Sequence, residues 1–339
     1  MLLSFTYEEY EKKLAGRCIM VDVRSPAEFA ESSIPGAINI ALFSNEERAH
    51  VGTVYKQEGK HAAVALGVDY VSKSLPRIYA SFRQAEAKQK KFMVFCARGG
   101  MRSEAVGSFL ASIGFSVLKL DSGYKGYRQH VLAKLPALID SIDIVTLYGK
   151  TGTGKTHIIH ALQEADCDTL DLEAYAGHRG SVFGGLGLQQ RSQKQFESLL
   201  YEALVNAKSK LIFTEGESRR IGSIYMPKEL SDKMASGRKL LIEADIETRK
   251  QIIMQDYTAT NFDKTAAITA LKSLVRYIGH ARIAEYQKLI EDGQIAEIAE
   301  VLMLQYYDIV YNTLHMEYEK VFTNVDPVET AAAIMEYMK

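Results

Sequence analysis

The chain has 339 residues, which is room for two domains that each bury a core. Its formal net charge is -1, so no global field calls for nucleic acid, and any RNA contact must rest on local basic patches. The start, MLLSFTYEEYEKK, lacks a basic stretch followed by an apolar one, no run approaches the ~20 apolar residues of a membrane span, and three cysteines without a Cys-x-x-Cys pair argue against a disulfide framework and a cysteine zinc site. A cytoplasmic chain with no signal peptide, no membrane partner and no zinc is expected.

Residues 18–23, Cys-Ile-Met-Val-Asp-Val, read as a short strand. Ser25-Pro26-Ala27-Glu28 then opens a helix, with Ser as N-cap, Pro at the first position and Glu completing a capping box. Residues 33–37 read as a turn and 69–91 as a long helix. Residues 92–95 and 116–120 read as strands, the second closed by Asp121-Ser122-Gly123. This β-α-β rhythm implies a parallel sheet flanked by helices. Leu135-Pro136-Ala137 marks a seam. Strands are expected near 144–148, 169–172, 211–215 and 239–244, and none after about Asp245. Residues 263–338 read as helices, broken near Gly279 and Gly293 and before Pro327. The expected parts are residues 1–135, 136–257 and a helical region 258–339.

Between the strand at 92–95 and the next helix lies Cys96-Ala97-Arg98-Gly99-Gly100-Met101-Arg102-Ser103. A cysteine at a strand end, before a helix N-terminus, meets consecutive backbone N–H groups that favour thiolate over thiol. Arg98 and Arg102 add positive charge, so Cys96, Arg98 and Arg102 are the candidate catalytic residues. Cys18, inside an apolar strand, and Cys167, in no motif, read as structural. Asp22-Val23-Arg24-Ser25-Pro26-Ala27-Glu28-Phe29, then Ile34-Pro35-Gly36-Ala37-Ile38-Asn39, then the Cys96 loop resemble rhodanese domains in order and spacing. Those domains carry sulfur or selenium on the cysteine. The Cys-x5-Arg signature of tyrosine and dual-specificity phosphatases also fits, although Phe95 stands where those enzymes usually have His.

The strand at 144–148 leads into Gly149-Lys150-Thr151-Gly152-Thr153-Gly154-Lys155-Thr156, a Walker A pattern between strand and helix. Gly149, Gly152 and Gly154 let backbone N–H groups wrap phosphate oxygens, Lys155 supplies charge, and Thr156 offers a hydroxyl to Mg2+. The pattern implies polyphosphate binding, not hydrolysis. Glu215 stands where a Walker B acid would stand, with a carboxylate at an exposed strand end as the competing reading; Asp171 is similar. His178-Arg179-Gly180-Ser181-Val182-Phe183-Gly184-Gly185 suits an anionic ligand, with a plain flexible loop as the alternative. Arg219 and Arg220 add local positive charge. Tyr306, Tyr307, Tyr311 and Tyr318 could stack on bases or fill a core.

A rhodanese-like unit ahead of a P-loop unit, with these strings, resembles the tRNA 2-selenouridine synthase family over nearly the whole chain. Further strings that carry the resemblance are Glu47-Arg48-Ala49-His50-Val51-Gly52-Thr53-Val54-Tyr55-Lys56-Gln57, Asp171-Leu172-Glu173 and Glu217-Ser218-Arg219-Arg220-Ile221-Gly222. The resemblance implies an α/β chain: an N-terminal rhodanese-like parallel sheet with flanking helices, a P-loop α/β domain and a helical C-terminal region. It implies a tRNA selenotransferase and geranyltransferase acting on wobble 2-thiouridine. Selenophosphate and geranyl diphosphate would be co-substrates, a selenophosphate-supplying enzyme would be a partner, and Mg2+ is compatible. Gly149, Gly152, Gly154, Lys155, Thr156, His178, Arg179, Glu215, Arg219 and Arg220 are the candidate co-substrate-binding residues, and Thr156 the candidate metal ligand. Two other readings stand beside it: a P-loop kinase with a rhodanese sulfur carrier, and a non-enzymatic sulfur relay or RNA-binding module. Oligomeric state, isoprenoid length and the set of tRNAs stay open.

Overall fold

Short apolar runs in the first part of the chain become the strands of a fully parallel sheet. The computed structural model describes residues 2–86, 91–258, 262–311 and 316–339, and the chain divides into two units, Met1–Leu135 and Pro136–Lys339. In the first, the elements follow as β1 (Ser4–Phe5), α1 (Tyr7–Lys13), β2 (Cys18–Asp22), α2 (Pro26–Glu31), β3 (Ile38–Asn39), α3 (Asn45–Gln57), α4 (Lys60–Glu86), β4 (Lys91–Phe95), α5 (Met101–Ser112), β5 (Val117–Leu120) and α6 (Gly123–Asp140). The strand order is β1-β5-β4-β2-β3. β4 lies at the centre, and Phe92, Met93, Val94 and Phe95 are buried on both faces, as an unbroken apolar run in a covered parallel sheet requires.

Near-neighbour signals are realised in the fold. Ser25 accepts from the Glu28 amide and Glu28 accepts from the Ser25 amide, closing the expected capping box at α2. The expected helix at 69–91 differs: α4 begins at Lys60 and Lys91 already starts β4, while residues 87–90 lie outside the described residues. The Leu135-Pro136-Ala137 seam sits inside the continuous helix α6, which the apolar face carried by Tyr127, Val131, Leu135 and Ile139 keeps buried.

Beneath the Cys96 strand, Asp22 and Arg24 form a buried pair, with Arg24 Nη2 at 2.6 Å from Asp22 Oδ2. The pair is closed by further bonds. Arg24 also donates to the Ser32 carbonyl at 2.6 Å, the Ser33 hydroxyl donates to Asp22 at 2.8 Å, and the guanidinium lies 4.2 Å from the Tyr124 ring centroid. Asp-x-Arg-Ser-Pro is therefore a structural clasp that ties β2 and the turn after α2 to the start of α6.

The second unit runs β6 (Asp143–Tyr148), α7 (Lys155–Glu164), β7 (Thr169–Leu170), α8 (Leu172–Ala176), α9 (Gln193–Asn206), β8 (Leu211–Glu215), β9 (Arg220–Ile221), β10 (Ile224–Tyr225), α10 (Lys228–Ser236), β11 (Arg238–Glu243) and α11 (Ile246–Thr258). Then come α12 (Lys264–Ser273), α13 (Val275–Ile278), α14 (His280–Glu291), α15 (Ile295–Leu302), a π-helical turn (Met303–Tyr307), α16 (Asp308–Tyr311), β12 (Lys320–Thr323) and α17 (Pro327–Tyr337). The main sheet is parallel, in the order β12-β11-β6-β8-β7; β9 and β10 form a separate antiparallel pair.

The expectation that strands end near Asp245 is not met. Residues 320–323 pair with β11, Leu240 opposite Lys320 through Glu243 opposite Thr323. β12 is short and largely exposed, so its sequence carries no clear apolar run, and only β11 fixes it as a strand. α17 then buries Ala331 and Ile334 against Ile158, Ile159 and Leu162 in the sheet's core. Helix breaks fall at Gly279 and Gly293, both at positive φ, and Asp326 caps α17 with Pro327 in its first turn. α12, α14 and α15 gather Leu271, Leu274, Ile283, Ile290, Ile298 and Leu302 into their own apolar cluster.

Removing the carboxylate of Asp22 would leave Arg24 buried without its counter-charge, a change that costs about 3–5 kcal/mol. Asp22→Ala should therefore lower the urea midpoint of the first unit well below wild type. An unchanged midpoint would show that the pair carries no stability.

Candidate active site

Cys96 follows β4 directly, and α5 starts at Met101 with Gly100 as its N-cap. Its Sγ lies 3.3 Å from the Ser103 hydroxyl. Burial raises the thiol pKa. The Ser103 hydroxyl, the amides of Arg98 and Ser103, and then the charge of Arg102 outweigh it, and the thiol ends below its ordinary value. The loop is shaped from behind. The Cys96 and Ala97 carbonyls accept the amides of Tyr124 and Lys125 at the start of α6, both at 2.9 Å. A side chain at Gly123, which has φ +52°, would come within 2.1 Å of the Cys96 carbonyl oxygen.

The two arginines do different work. Arg98 acts on the thiol through its backbone amide, and its side chain is exposed. Arg102 is committed to Glu28, at 2.6 Å and 3.2 Å, and Arg48 reaches the same carboxylate at 3.6 Å. Two cations on one anion leave net positive charge beside the loop. Sequence reasoning missed Glu28, Arg48 and Ser103 as parts of this site. Ser103 stands within the quoted motif, but Glu28 and Arg102 are 74 residues apart in the chain.

In the second unit, Gly149, Gly152 and Gly154 turn the chain after β6 so that α7 starts at Lys155. Gly152 and Gly154 have φ near +81° and +83°. At all three positions a side chain would strike backbone or a fixed neighbour: Ile242 carbonyl at 2.4 Å, Arg249 carbonyl at 2.9 Å and Asn324 Nδ2 at 2.4 Å. The Lys155 ammonium donates to the Gly149 and Lys150 carbonyls at 2.9 Å and 3.3 Å. Behind the loop, Arg249 donates to the Thr151 carbonyl at 2.9 Å and Asn324 to the Thr153 carbonyl at 2.9 Å. Arg249 is in turn gripped by Asp308, at 2.9 Å and 2.7 Å, and Asp308 also takes Lys150 at 3.1 Å. Neither Asn324 nor Asp308 is visible in the sequence, since each reaches the loop from far along the chain.

Three carboxylates converge beside Lys155. The Thr156 hydroxyl donates to Glu173 at 3.2 Å, the Glu173 amide donates to Glu215 at 2.9 Å, and Glu173 and Glu217 share a hydrogen bond. Glu215 is fully buried, with one oxygen lacking a hydrogen-bond partner. This overturns the exposed strand-end reading of that residue. Burial, then the charges of Glu173 and Asp171, holds its pKa well above the usual carboxylate range. Burial and then Glu217 push Glu173 up to about 8 against the opposing pull of Lys155. Burial also raises Glu217, again opposed by Lys155. The cluster thus holds protons at neutral pH that isolated glutamates would release. Among the described residues, no group of three or more His, Cys, Asp or Glu has an arrangement that could hold a metal ion.

The loop at 178–185 is not plainly flexible. Arg179 donates to the Leu186 and Asp256 carbonyls at 3.0 Å and 2.9 Å, and its guanidinium lies 4.9 Å from the Tyr257 ring centroid. It staples the loop to α11 while lining the same cleft as Lys155, Thr156, Glu173 and Glu217. His178 differs from the cationic head its sequence context suggests. Burial and then Arg179 lower its pKa, and its ring packs against Gly184, Gly185 and Gly222. It is a neutral strut. Arg219 and Arg220 stand exposed at the β9–β10 hairpin and are not among the residues lining that cleft; Arg220 lies 5.7 Å from the Tyr225 ring centroid. Of the four tyrosines, Tyr307 is buried and Tyr306 packs on Tyr277 and Tyr307. Tyr318 sits with Tyr148 in a second cleft with Gly149, Lys150 and Glu217. The Tyr311 side chain lies outside the described residues. No described helix is long and apolar enough to cross a membrane.

Comparison with known proteins accounts for both units. Residues 142–339 match the family model described as the tRNA 2-selenouridine synthase AAA domain, and residues 6–130 match that of the rhodanese-like domain. A tRNA 2-selenouridine synthase of Nitrosomonas europaea is 34% identical over 246 residues, which are 71% of this chain and 64% of that one. One from Hydrogenovibrio crunogenus is 36% identical over 74% of this chain and 71% of its own length. One from Proteus mirabilis is 32% identical over 90% of this chain and 91% of its own.

The carboxylate cluster makes stability depend on pH with a definite sign. A Glu whose folded pKa is raised contributes stability that is complete below its unfolded pKa and lost as pH rises through the folded value, here about 8. Glu173→Gln removes that loss. It should be nearly neutral at about pH 5 and stabilising by roughly 1–3 kcal/mol at about pH 9. Urea unfolding at both pH values measures it, and a variant that parallels wild type at both would remove Glu173 from the account.

Proposed function

Because the chain belongs to the tRNA 2-selenouridine synthase family, we propose that it replaces sulfur by selenium in wobble-position 2-thiouridine of tRNA, through an S-geranylated intermediate. One observation chiefly supports this reading. Two separate parallel sheets each end, at the C-terminal edge of a central strand, in an anion-binding loop, one bearing a thiol and the other a lysine-headed phosphate cradle.

In the first step the 2-thio sulfur attacks C1 of geranyl diphosphate, the C1–O bond breaks, and diphosphate leaves with the electron pair. Lys155 and the amides of residues 150–156 stabilise the charge that grows on the leaving oxygens. Arg179 lines that cleft and adds to the field. Thr156 and Glu173 would hold Mg2+. A hydroxyl beside a buried carboxyl, next to the orphaned oxygen of Glu215, would suit a hard cation that displaces the Glu173 proton and also takes phosphate oxygens. Such an ion would supply further charge for the diphosphate.

Alkylation turns the sulfur into a leaving group. Selenium of selenophosphate then bonds to C2, the C2–S bond breaks and releases geranylthiol, and water cleaves the P–Se bond to give phosphate. The Cys96 thiolate, the N-terminal amides of α5 and the exposed Arg98 side chain bind and activate selenophosphate, with Arg102 and its Glu28 partner setting the local charge. The wobble base enters the cleft beside Gly149, where Tyr148 and Tyr318 offer ring faces for stacking. Arg219 and Arg220 bind the tRNA backbone. A cytoplasmic location, a selenophosphate-producing enzyme as supplier, and a division into residues 1–135, 136–257 and 258–339 complete the proposal.

Cys96→Ala should stop selenium incorporation and leave geranylation largely intact. Lys155→Ala should slow geranylation, by about 2–4 kcal/mol in the transition state, and leave selenation of pre-geranylated tRNA less affected. Mass spectrometry of the nucleosides from purified reactions reads both products. Equal loss of both in a folded Cys96→Ala protein would contradict the division of labour.

Arg219→Ala/Arg220→Ala should weaken tRNA binding and flatten its salt dependence, the log–log slope falling by roughly 0.7–0.9 for each RNA phosphate that is no longer neutralised. Unchanged affinity and slope across a salt series would remove the pair from the RNA surface.

A further inference from the structure

A narrow cavity, open at its mouth, lies between α11, α14, α15 and the loop at 178–186. None of the described residues lining it carries a charge. Its walls are side chains such as Phe183, Leu186, Ile290, Ile298, Leu302 and Met303. Its mouth is shared with the phosphate cleft, for Thr151, Ser181, Ile253 and Tyr257 line both. Ser181 and Tyr257 meet there through their hydroxyls at 3.1 Å, and Arg179 braces the Tyr257 ring from behind. An uncharged apolar pocket that opens onto the cleft of Lys155 suits a diphosphate head bearing a linear hydrocarbon tail.

We propose that this cavity is the slot for the isoprenoid tail and sets the chain length of the donor. The inference rests on the geranyl-transfer reading above and adds the place of the tail and the residues that measure it. Ala299 is the short side chain among the aliphatic lining of α15, so it leaves open the space along which the tail runs. Ile290 and Ile298, buried in the cluster of α12, α14 and α15, line this cavity and not the phosphate cleft. A five-carbon tail stays near the mouth, whereas a ten-carbon tail must pass Ala299.

Equilibrium binding of inorganic diphosphate, dimethylallyl diphosphate and geranyl diphosphate to the full chain tests the proposal apart from transfer. Burial of added methylenes predicts that wild type binds the geranyl donor roughly tenfold or more tighter than the dimethylallyl one. Ala299→Phe should abolish that gain while inorganic diphosphate binds as in wild type. Ala299→Leu, a milder change that suits a helix, should remove part of it and serves if the Phe variant does not fold. A geranyl advantage that is missing in wild type, or that survives in both variants, overturns the slot. S-alkylation of tRNA by the same proteins is then read separately. Tail-dependent binding that responds to Ala299 without any S-alkylated product would sustain the slot and refute geranyl transfer, and transfer without a chain-length effect would do the reverse.

Discussion

An anion-binding loop works only if its amides point into open space while its carbonyls are engaged elsewhere, because both are strong hydrogen-bonding groups that must be satisfied. Both loops of this chain meet that constraint by tying their carbonyls back. In the thiol loop, the amides at the start of α6 hold the carbonyls of Cys96 and Ala97. In the phosphate loop, Arg249 holds Thr151, Asn324 holds Thr153, and Lys155 reaches the carbonyls of Gly149 and Lys150. The glycines follow from the same crowding, since a side chain at Gly154 would displace Asn324, one at Gly123 would strike the Cys96 carbonyl, and one at Gly149 the Ile242 carbonyl.

The constraint explains the role of the C-terminal part of the chain. Asn324 follows β12 and is fixed by Thr330 at 2.9 Å and by its own amide on Glu243 at 2.7 Å. Asp308 follows the π-helical turn and grips Arg249. Residues after 300 thus complete a loop that begins near 149. Leu302, Met303 and Tyr307 of the same segment also line the apolar cavity, and α11 carries both Arg249 of the buttress and Ile253 of the cavity. Beside them, the clustered carboxylates are kept partly protonated by burial, which limits the negative charge they present to the loop of Lys155.

What the sequence reveals is local. The capping box at Ser25, the strand before each loop, the helix after it and the glycines in the Walker pattern all depend on residues a few positions apart. What it hides is assembled from distant segments. Glu28 meets Arg102, Asn324 meets Thr153, and the cavity draws on four stretches of chain. β12 reads as helix in the sequence because its pairing partner, not its own pattern, makes it a strand. His178 looks cationic because sequence shows neighbours in the chain but not burial, and burial decides its charge. Glu215 carries two readings for the same reason, and its full burial chooses between them.

The central claim is that one chain carries two separable chemical centres joined by an alkylated tRNA intermediate. The most direct measurement passes the intermediate between two crippled proteins. Thiolated tRNA is treated with Cys96→Ala protein and geranyl diphosphate, repurified, and given to Lys155→Ala protein with selenophosphate. The account predicts that 2-selenouridine then forms, although neither protein makes it alone from thiolated tRNA. If wild type converts the repurified tRNA and the Lys155→Ala protein yields none, the two centres do not act separately and the account is contradicted.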